Sequence, residues 1–458
     1  MMKTQKVPGF YKNFFLIAVP ITLQQLMQTF VNMLDTIMVG QLGAVEIASV
    51  GLGNQIFFIL NMILFGIASG GSIFIAQYWG KNDVRRIRQV LGIMLSASVA
   101  VSLIFTLATL FIPEILIGFY SKDPKVIECG AKYLRAVGLS YPATAISFAY
   151  QFSFRSTEHV RLPMFSTFVS VILNAFFNLI LIFGLNLSFL GVRVFIPALG
   201  VLGAAVATLI SRSIEMAIIL CYSYSKKYEP CGTLKELLSF DRSFVAKFIK
   251  TALPVLFNET LWGTGITFEN AIFARIGTKA IAAFNITGTI SQLSWVFVIG
   301  FGSAAGIIIG KQIGAGNEKS ARAYAKHFAF FIPAVGFAVG CLLYPFSLFL
   351  PSFFKVGSDI LRQARLMLWT LIWFYPFNSF NMLFIVGICR SGGDTRYAAF
   401  HDLFWMWAII IPMGFVTALV LHWHPWQVYA CLLCENIFKS IAGIIRVRSG
   451  KWLNNVTT

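Results

Sequence analysis

Carboxylates standing inside apolar stretches are where the chemistry of this chain has to be sought. Asp35 sits in Val31-Asn-Met-Leu-Asp-Thr, Glu259 in Phe257-Asn-Glu-Thr, and Glu269 ten residues further on. Glu215 and Glu435 lie in two more such stretches. A carboxylate at membrane depth costs about 2.5–3.5 kcal/mol on insertion scales unless it is paired or wet, so each one is a functional candidate. Asp35 and Glu259 read as functional. Glu269 reads either as a cavity carboxylate or as a residue at a helix end, and Glu215 and Glu435 read as structural. Asn174 and Asn178 are four apart and therefore share a helix face. Thr208, with Ala204 one turn before it, adds a hydroxyl and a backbone oxygen. Two amides, a hydroxyl, a carbonyl and the Asp35 carboxylate form a hard-oxygen set suited to a small monovalent cation such as sodium, or to a protonatable acid with its partners. The same amides and hydroxyl also suit plain interhelical hydrogen bonding.

Other reactive residues point elsewhere. Cys431-x-x-Cys434 lies within an apolar stretch, where thiols pack as small apolar groups. His422-Trp-His-Pro-Trp reads as an interfacial aromatic anchor. No Gly-x-x-x-x-Gly-Lys-Ser/Thr pattern occurs, which disfavours an ATP-driven pump. Neither paired Asp-rich motifs nor a His cluster is present, so the expectation is that the chain is not an enzyme and carries no cofactor.

The elements that hold these residues are membrane spans. Hydrophobic residues make up 57% of the 458 and charged residues only 12%, against about a quarter in a soluble domain; mean hydropathy is +0.77. Twelve stretches reach the roughly 20 apolar residues a spanning helix needs, near 14–38, 47–78, 90–119, 131–154, 162–187, 195–224, 244–273, 280–311, 325–352, 362–389, 397–421 and 426–445. The first is too long for a signal peptide and reads as helix 1. A shift of 234 residues carries 14–80 onto 248–314 without a gap, matching Pro20 to Pro254, Gly43 to Gly277 and Gly80 to Gly314. It also carries Tyr141-Pro142 onto Tyr375-Pro376, and one residue more carries Arg155-Ser156 and Arg161 onto Arg390-Ser391 and Arg396. Six spans per repeat return the chain to its starting side, so the expected fold class is an all-α integral membrane protein: twelve transmembrane helices in two six-helix parallel-repeat bundles. The expected division is an N-lobe at 1–222, a linker at 223–243 acting as a tether, and a C-lobe at 244–458.

Lys and Arg crowd the N-terminus, the loop after helix 2, the central loop, the loop after helix 8 and the C-terminus. The positive-inside rule then puts both termini in the cytoplasm, with the protein in the cell inner (cytoplasmic) membrane. The formal charge of +18 is accordingly topology, not a nucleic-acid face. The expected partners are the lipid bilayer and a small-molecule substrate, with no nucleic acid, and the chain is expected to be a monomer.

Pro20, Asp35-Thr-x-Met-Val-Gly40, Gln77-x-x-Gly80, Arg155, Arg161, Gly314 and Arg390-Ser-Gly-Gly-Asp394-Thr-Arg396 together resemble multidrug and toxic compound extrusion (MATE) transporters. The resemblance covers essentially the whole chain and implies the MATE/MOP-type fold, two lobes around a cavity, and export driven by inward sodium or proton flow. It assigns an N-lobe cation site to Asp35, Asn174, Asn178 and Thr208, with the Ala204 carbonyl. The chain departs from sodium-driven members that pair a helix 7 Glu with a helix 10 Asp, because helix 10 offers Asn378 and Asn381 instead. Asn258-Glu259-x-x-Trp262 resembles a subgroup common among Firmicutes and leaves Glu259 as a second proton or substrate-cation carboxylate. The expected substrate cavity comprises Glu259, Asn258, Trp262, Glu269, Asn378, Asn381, Tyr141 and Tyr375. The implied function is cation-coupled antiport of cationic amphiphiles. A lipid-linked precursor flippase is the alternative, weakened because the intramembrane ionisable residues read as mostly acidic; a membrane-embedded enzyme is a second.

Overall fold

Hydrocarbon cannot hydrogen-bond a peptide group, so apolar stretches of this length have to fold as helices. A computed structural model describes residues 10–189, 192–349, 354 and 356–457. In the N-terminal repeat it shows α1 (Phe10–Gly40), α2 (Ala44–Lys81), α3 (Val84–Phe111), α4 (124–156), α5 (Arg161–Phe183) and α6 (Val201–Ser225). In the C-terminal repeat are α7 (Arg242–Ile276), α8 (Thr278–Gly314), α9 (Glu318–Leu348), α10 (Ser358–Arg390), α11 (Thr395–Val420) and α12 (Pro425–Ser449). Ten of these are long and apolar enough to cross a membrane by composition alone. The other two, α4 and α7, are equally long but carry charges such as Lys132 and Arg135, or Glu259 and Glu269. The protein is an all-α membrane protein, with twelve long helices among the described residues, six per repeat. Local chemistry sets several ends. Pro124 opens α4 and Pro425 opens α12 at the first-turn position where a missing N–H costs nothing, and the Asp123 side chain accepts from the Lys125 N–H at 2.9 Å.

The repeat is not a constant shift throughout. At 234, Ala44–Lys81 and 124–156 fall almost residue for residue on Thr278–Gly314 and Ser358–Arg390. The last helices, Val201–Ser225 and Pro425–Ser449, correspond at 224 instead. An antiparallel hairpin, β1 (Leu185–Phe189) paired with β2 (Val192–Ile196), precedes α6 and takes up the difference. Smaller steps come from π-helical segments, where the turn widens by one residue. One spans Leu383–Arg390 in α10, where the shift grows to 235, and another spans Phe404–Ile410 in α11. Within the second and beyond it, the buried positions Ser170, Asn174, Asn178 and Ile182 of α5 correspond to Met406, Ile410, Gly414 and Ala418 of α11 at a shift of 236.

By its contacts the chain divides into two compact units, and the boundaries differ from 1–222, 223–243 and 244–458. One unit holds the described residues up to Thr22, Ile73–Asp83 and Lys247 onward; the other holds Leu23–Ser72 and Val84–Ala246. Sequence gave no reason to divide α1 and α2 internally, but packing does. In the first unit, Phe14 is fully buried with its ring 5.3 Å from Phe301 and 5.1 Å from Phe328. The ends of α2 and α8 cross there so closely that only glycine fits. A Cβ on Gly80 would lie 1.9 Å from the Lys311 carbonyl oxygen, and one on Gly314 would lie 1.8 Å from that of Gln77. Gln77 and Lys311 are themselves repeat partners, so the crossing is reciprocal. Gln77, fully buried, also donates to the carbonyls of Ser391 at 2.8 Å and Asn454 at 3.1 Å, and accepts from the Val456 N–H at 2.7 Å.

The 223–243 segment is not the free tether that its polarity suggests. In the second unit Leu237 is buried, and Gln89 of α3 donates to the Ser239 carbonyl at 2.7 Å. Arg88 meets the Glu236 carboxylate at 2.8 Å and the Glu229 carbonyl at 3.1 Å. Thr233 and Glu236 close a capping box on the short helix Leu234–Leu237. The Thr233 backbone N–H, with Arg88 beside it, holds the Glu236 carboxyl below the usual range.

Gly314→Val is expected to lower the melting temperature of the purified protein sharply, since the clash is with backbone and overpacking costs ~1–3 kcal/mol even where side chains can yield. A thiol-reactive melting assay checks this. A melting curve like the parent's would show that the α2–α8 crossing is looser than its geometry.

Candidate functional site

In the second unit, α5 and α6 present polar residues at spacings of three and four, so each forms a stripe along one face. Thr167, Ser170, Asn174 and Asn178 line α5; Ala204, Thr208, Ser211 and Glu215 line α6. The stripes meet. Asn178 Nδ2 donates to Asp35 Oδ1 at 2.5 Å and to Asn174 Oδ1 at 3.1 Å. Asn174 Nδ2 in turn lies 3.4 Å from both Thr208 Oγ1 and Ser211 Oγ. Thr208 Oγ1 donates to the Ala204 carbonyl at 3.0 Å, and Ser170 Oγ to that of Ser211 at 3.2 Å. Asn178 is fully buried, and its Oδ1 has no hydrogen-bond partner among the described residues. A buried amide oxygen left unmet is costly unless a donor or a cation reaches it.

The ladder continues deeper into the unit. Glu215 is 1% exposed; its Oε1 accepts from Thr167 Oγ1 at 2.8 Å and Gln151 Nε2 at 3.0 Å, and its Oε2 from Arg212 at 3.1 Å. Gln24 of α1 donates to Gln151 and Thr167 and accepts both Nε and Nη2 of buried Arg155 on its Oε1. Arg212 also donates to Gln28 at 3.2 Å.

The first unit places a different set of charges at corresponding positions. Arg390, the repeat partner of Arg155, forms an ion pair with Glu259 rather than with a glutamine. Lys439 of α12 is 3% exposed; its Nζ lies 2.7 Å from Asp402 Oδ1 of α11 and 3.1 Å from Glu435 Oε2 on its own helix. Asn258 and His401 are buried beside these groups, with Oδ1 and Nε2 respectively lacking a hydrogen-bond partner among the described residues.

The MatE family model matches residues 20–180 and 254–419, one segment in each repeat. The chain belongs to the MATE (MatE) transporter family. Its relatives include the probable multidrug resistance protein YoeA of Bacillus subtilis, 24% identical over 90% of this chain and 88% of that one. Another is the probable multidrug resistance protein NorM of Thermotoga maritima, 23% identical over 98% and 94%. Among solved structures, a mutant of the Vibrio cholerae MATE transporter VcmN superposes with a TM-score of 0.85 at 18% identity, covering 98% of this chain and 99% of that one. A MOP superfamily transporter from Pyrococcus furiosus gives 0.84 at 20%, covering 98% of each. At such identities the structures speak for the fold alone.

Of the sequence-derived residues of this MatE protein, Asp35, Asn174, Asn178, Thr208 and Ala204 come together as one hydrogen-bonded set. The expected cavity residues do not. Tyr141 and Tyr375, at the same repeat position, are buried in the hydrophobic cores of their separate units, Tyr141 with its ring 5.8 Å from that of Phe57. Asn381 is buried with both ends committed, donating to the carbonyl and side-chain oxygens of Asn436 at 3.0 Å each and accepting from Ser440 at 3.2 Å. Asn378 is half-buried with Oδ1 unpartnered among the described residues, and Trp262 is half-buried on α7. Glu259 is held by Arg390. Glu269 is half-buried, with Glu435 and Lys439 the nearest charged groups and no hydrogen bond or ion pair among the described residues.

Sequence reading missed Gln24, Gln151, Thr167, Ser211 and Arg212 in one unit and Asp402 and Lys439 in the other. The signal was available for all but Asp402: each of the others continues a polar stripe at spacing three or four, whereas Asp402 has Ala398, Ala399, Trp405 and Met406 at those spacings. It also took the intramembrane charges as mostly acidic. Arg155, Arg212, Arg390 and Lys439 correct that, since they sit buried or half-buried against Gln24, Glu215, Glu259 and Asp402.

Removing one member of a buried pair strands the other, at about 3–5 kcal/mol, whereas replacing both with hydrocarbon is often neutral. Glu259→Ala is therefore expected to destabilise the protein strongly in chemical denaturation, and Glu259→Met with Arg390→Met to recover most of the loss. Two single losses that simply add in the double variant would mean that the pair contributes no coupling.

Proposed function

We propose that this protein is a cation-coupled antiporter that exports organic small molecules, with the coupling cation, sodium or a proton, bound at Asp35. The observation that carries the reading is the unmet Asn178 Oδ1, buried beside the carboxylate that Asn178 Nδ2 already holds. An anionic oxygen, two amide oxygens and a hydroxyl supply hard donors and a single negative charge, which suits one monovalent cation. The names of the relatives, multidrug resistance proteins, support export of diverse organic molecules. Substrate and coupling ion both draw on scarce negative charge, so each weakens the other's binding and ion entry favours substrate release.

The basic loops support a cytoplasmic-membrane protein with both termini inside. A lipid-linked precursor flippase would need unmatched positive charge to hold pyrophosphate, and three of the four basic groups named above have a carboxylate partner: Arg212 with Glu215, Arg390 with Glu259, Lys439 with Asp402. The fourth, Arg155, donates to the neutral Gln24, with Glu215 as its nearby negative charge. Nothing in the site supports an enzymatic reading.

Asp35→Asn keeps the shape and the hydrogen bonds but removes the charge, so it is expected to abolish gradient-driven efflux of a fluorescent organic cation while leaving the protein folded. Asn178→Ala, Asn174→Ala and Thr208→Ala are expected to raise the ion concentration needed for half-maximal efflux by about 10–100-fold, the usual effect of losing groups that orient or complete a cation site. Efflux from proteoliposomes under imposed sodium or proton gradients measures both. Parent-like export by Asp35→Asn at matched incorporation refutes the site.

A further inference from the structure

The two repeats answer the same burial problem with opposite charges. The correspondence of α6 with α12 rests on buried positions: Ala204, Ala207, Glu215, Ile219 and Ser223 fall on Val428, Cys431, Lys439, Gly443 and Val447 at a shift of 224. Glu215 thus corresponds to Lys439, and at a shift of 235 Thr167 corresponds to Asp402. The hydrogen bond from Thr167 to Glu215 in one unit is matched by that from Lys439 to Asp402 in the other.

The oxygens around Asp35 have no such counterpart. Its own partner in the repeat, Glu269, keeps the carboxylate. Asn174, Asn178 and Thr208 correspond to Ile410, Gly414 and Leu432. Ile410 and Leu432 belong to a buried apolar cluster, and a Cβ on Gly414 would meet the side chains of Ile272 and Leu432 at 2.7 and 2.8 Å. Hydrocarbon fills the place of the oxygen cage, and a cation cannot be dehydrated there. Two acidic side chains of this unit stand instead around Lys439, whose ammonium is buried between Asp402 and Glu435.

We propose that Lys439 is a built-in cation: tethered through α12, it occupies the acidic site of the C-terminal repeat, so that only the Asp35 set takes a mobile coupling ion. This deepens the Asp35 reading by fixing one coupling ion per transport cycle. Removing the ammonium frees two buried carboxylates, Asp402 and Glu435, next to the unmet Oδ1 of Asn258. That is a site for a monovalent cation.

The test uses purified full-length protein and counts bound radioactive sodium per chain by equilibrium dialysis at alkaline pH. Lys439→Met is expected to bind one sodium more than the parent. The gain should persist when Asp35→Asn is added and vanish when Asp402→Asn is added. No gain in Lys439→Met overturns the proposal, and so does parent sodium binding that survives Asp35→Asn. Should Lys439→Met fail to fold, the neutral variant Asp402→Asn, Glu435→Gln, Lys439→Met decides. It should retain parent sodium stoichiometry and Asp35-dependent efflux; loss of either means that the cluster is an ion site in its own right. Failure of the Asp35 reading looks different: Asp35→Asn would transport normally, whatever Lys439→Met binds.

Discussion

A charge withdrawn from water has to be met within a few ångström, and this membrane protein keeps several in its interior. Hydrocarbon supplies no partner, so each ionised group dictates what stands beside it. Glu215 is met by Arg212, Thr167 and Gln151; Glu259 by Arg390; Asp402 and Glu435 by Lys439. Among the described residues Asp35 is met only by the Asn178 amide, with Arg212 as a more distant positive charge. That incomplete answer separates Asp35 from the pairs that are closed, and the proposed exchange of a cation at this site rests on it.

Duplication made both kinds from one plan. The same helices, α5 and α6 or α11 and α12, present buried polar residues at matching depths in each unit. Small changes in register and side chain decide what those residues can do. A glutamate in α6 becomes a lysine in α12, and two asparagines in α5 become an isoleucine and a glycine in α11. The π-helical segments matter here, because each widened turn advances the following face by a residue while keeping the backbone hydrogen-bonded.

The close crossing of α2 and α8 and the docked 223–243 segment constrain the chain in another way. Gly80 and Gly314 let backbone meet backbone, which gives rigidity without side-chain freedom. The polar linker gains order from Leu237, Gln89 and the Thr233–Glu236 box. A segment that looks like solvated tether thereby becomes part of one unit.

Resemblance to the MATE family joined Asp35, Asn174, Asn178 and Thr208 as one site; sequence alone determined the twelve spans, the duplication, and the shared helix face of Asn174 and Asn178. Those rest on hydropathy, on a repeat that is gapless over its first two helices, and on helical periodicity, all of which are local. It could not determine that Glu259 is neutralised by Arg390, 131 residues away, or that Lys439 lies between Asp402 and Glu435. Which charges are closed depends on helices far apart in sequence, and so does the division of α1 and α2 between units. The hairpin and the two π-helical steps hid that correspondence from a constant shift, since they move each later residue by one to ten positions. Tyr141, Tyr375 and Asn381 show the same limit. Their polar atoms and repeat positions suggested a cavity, but packing within each unit decides which side of a helix faces inward, and it buries all three.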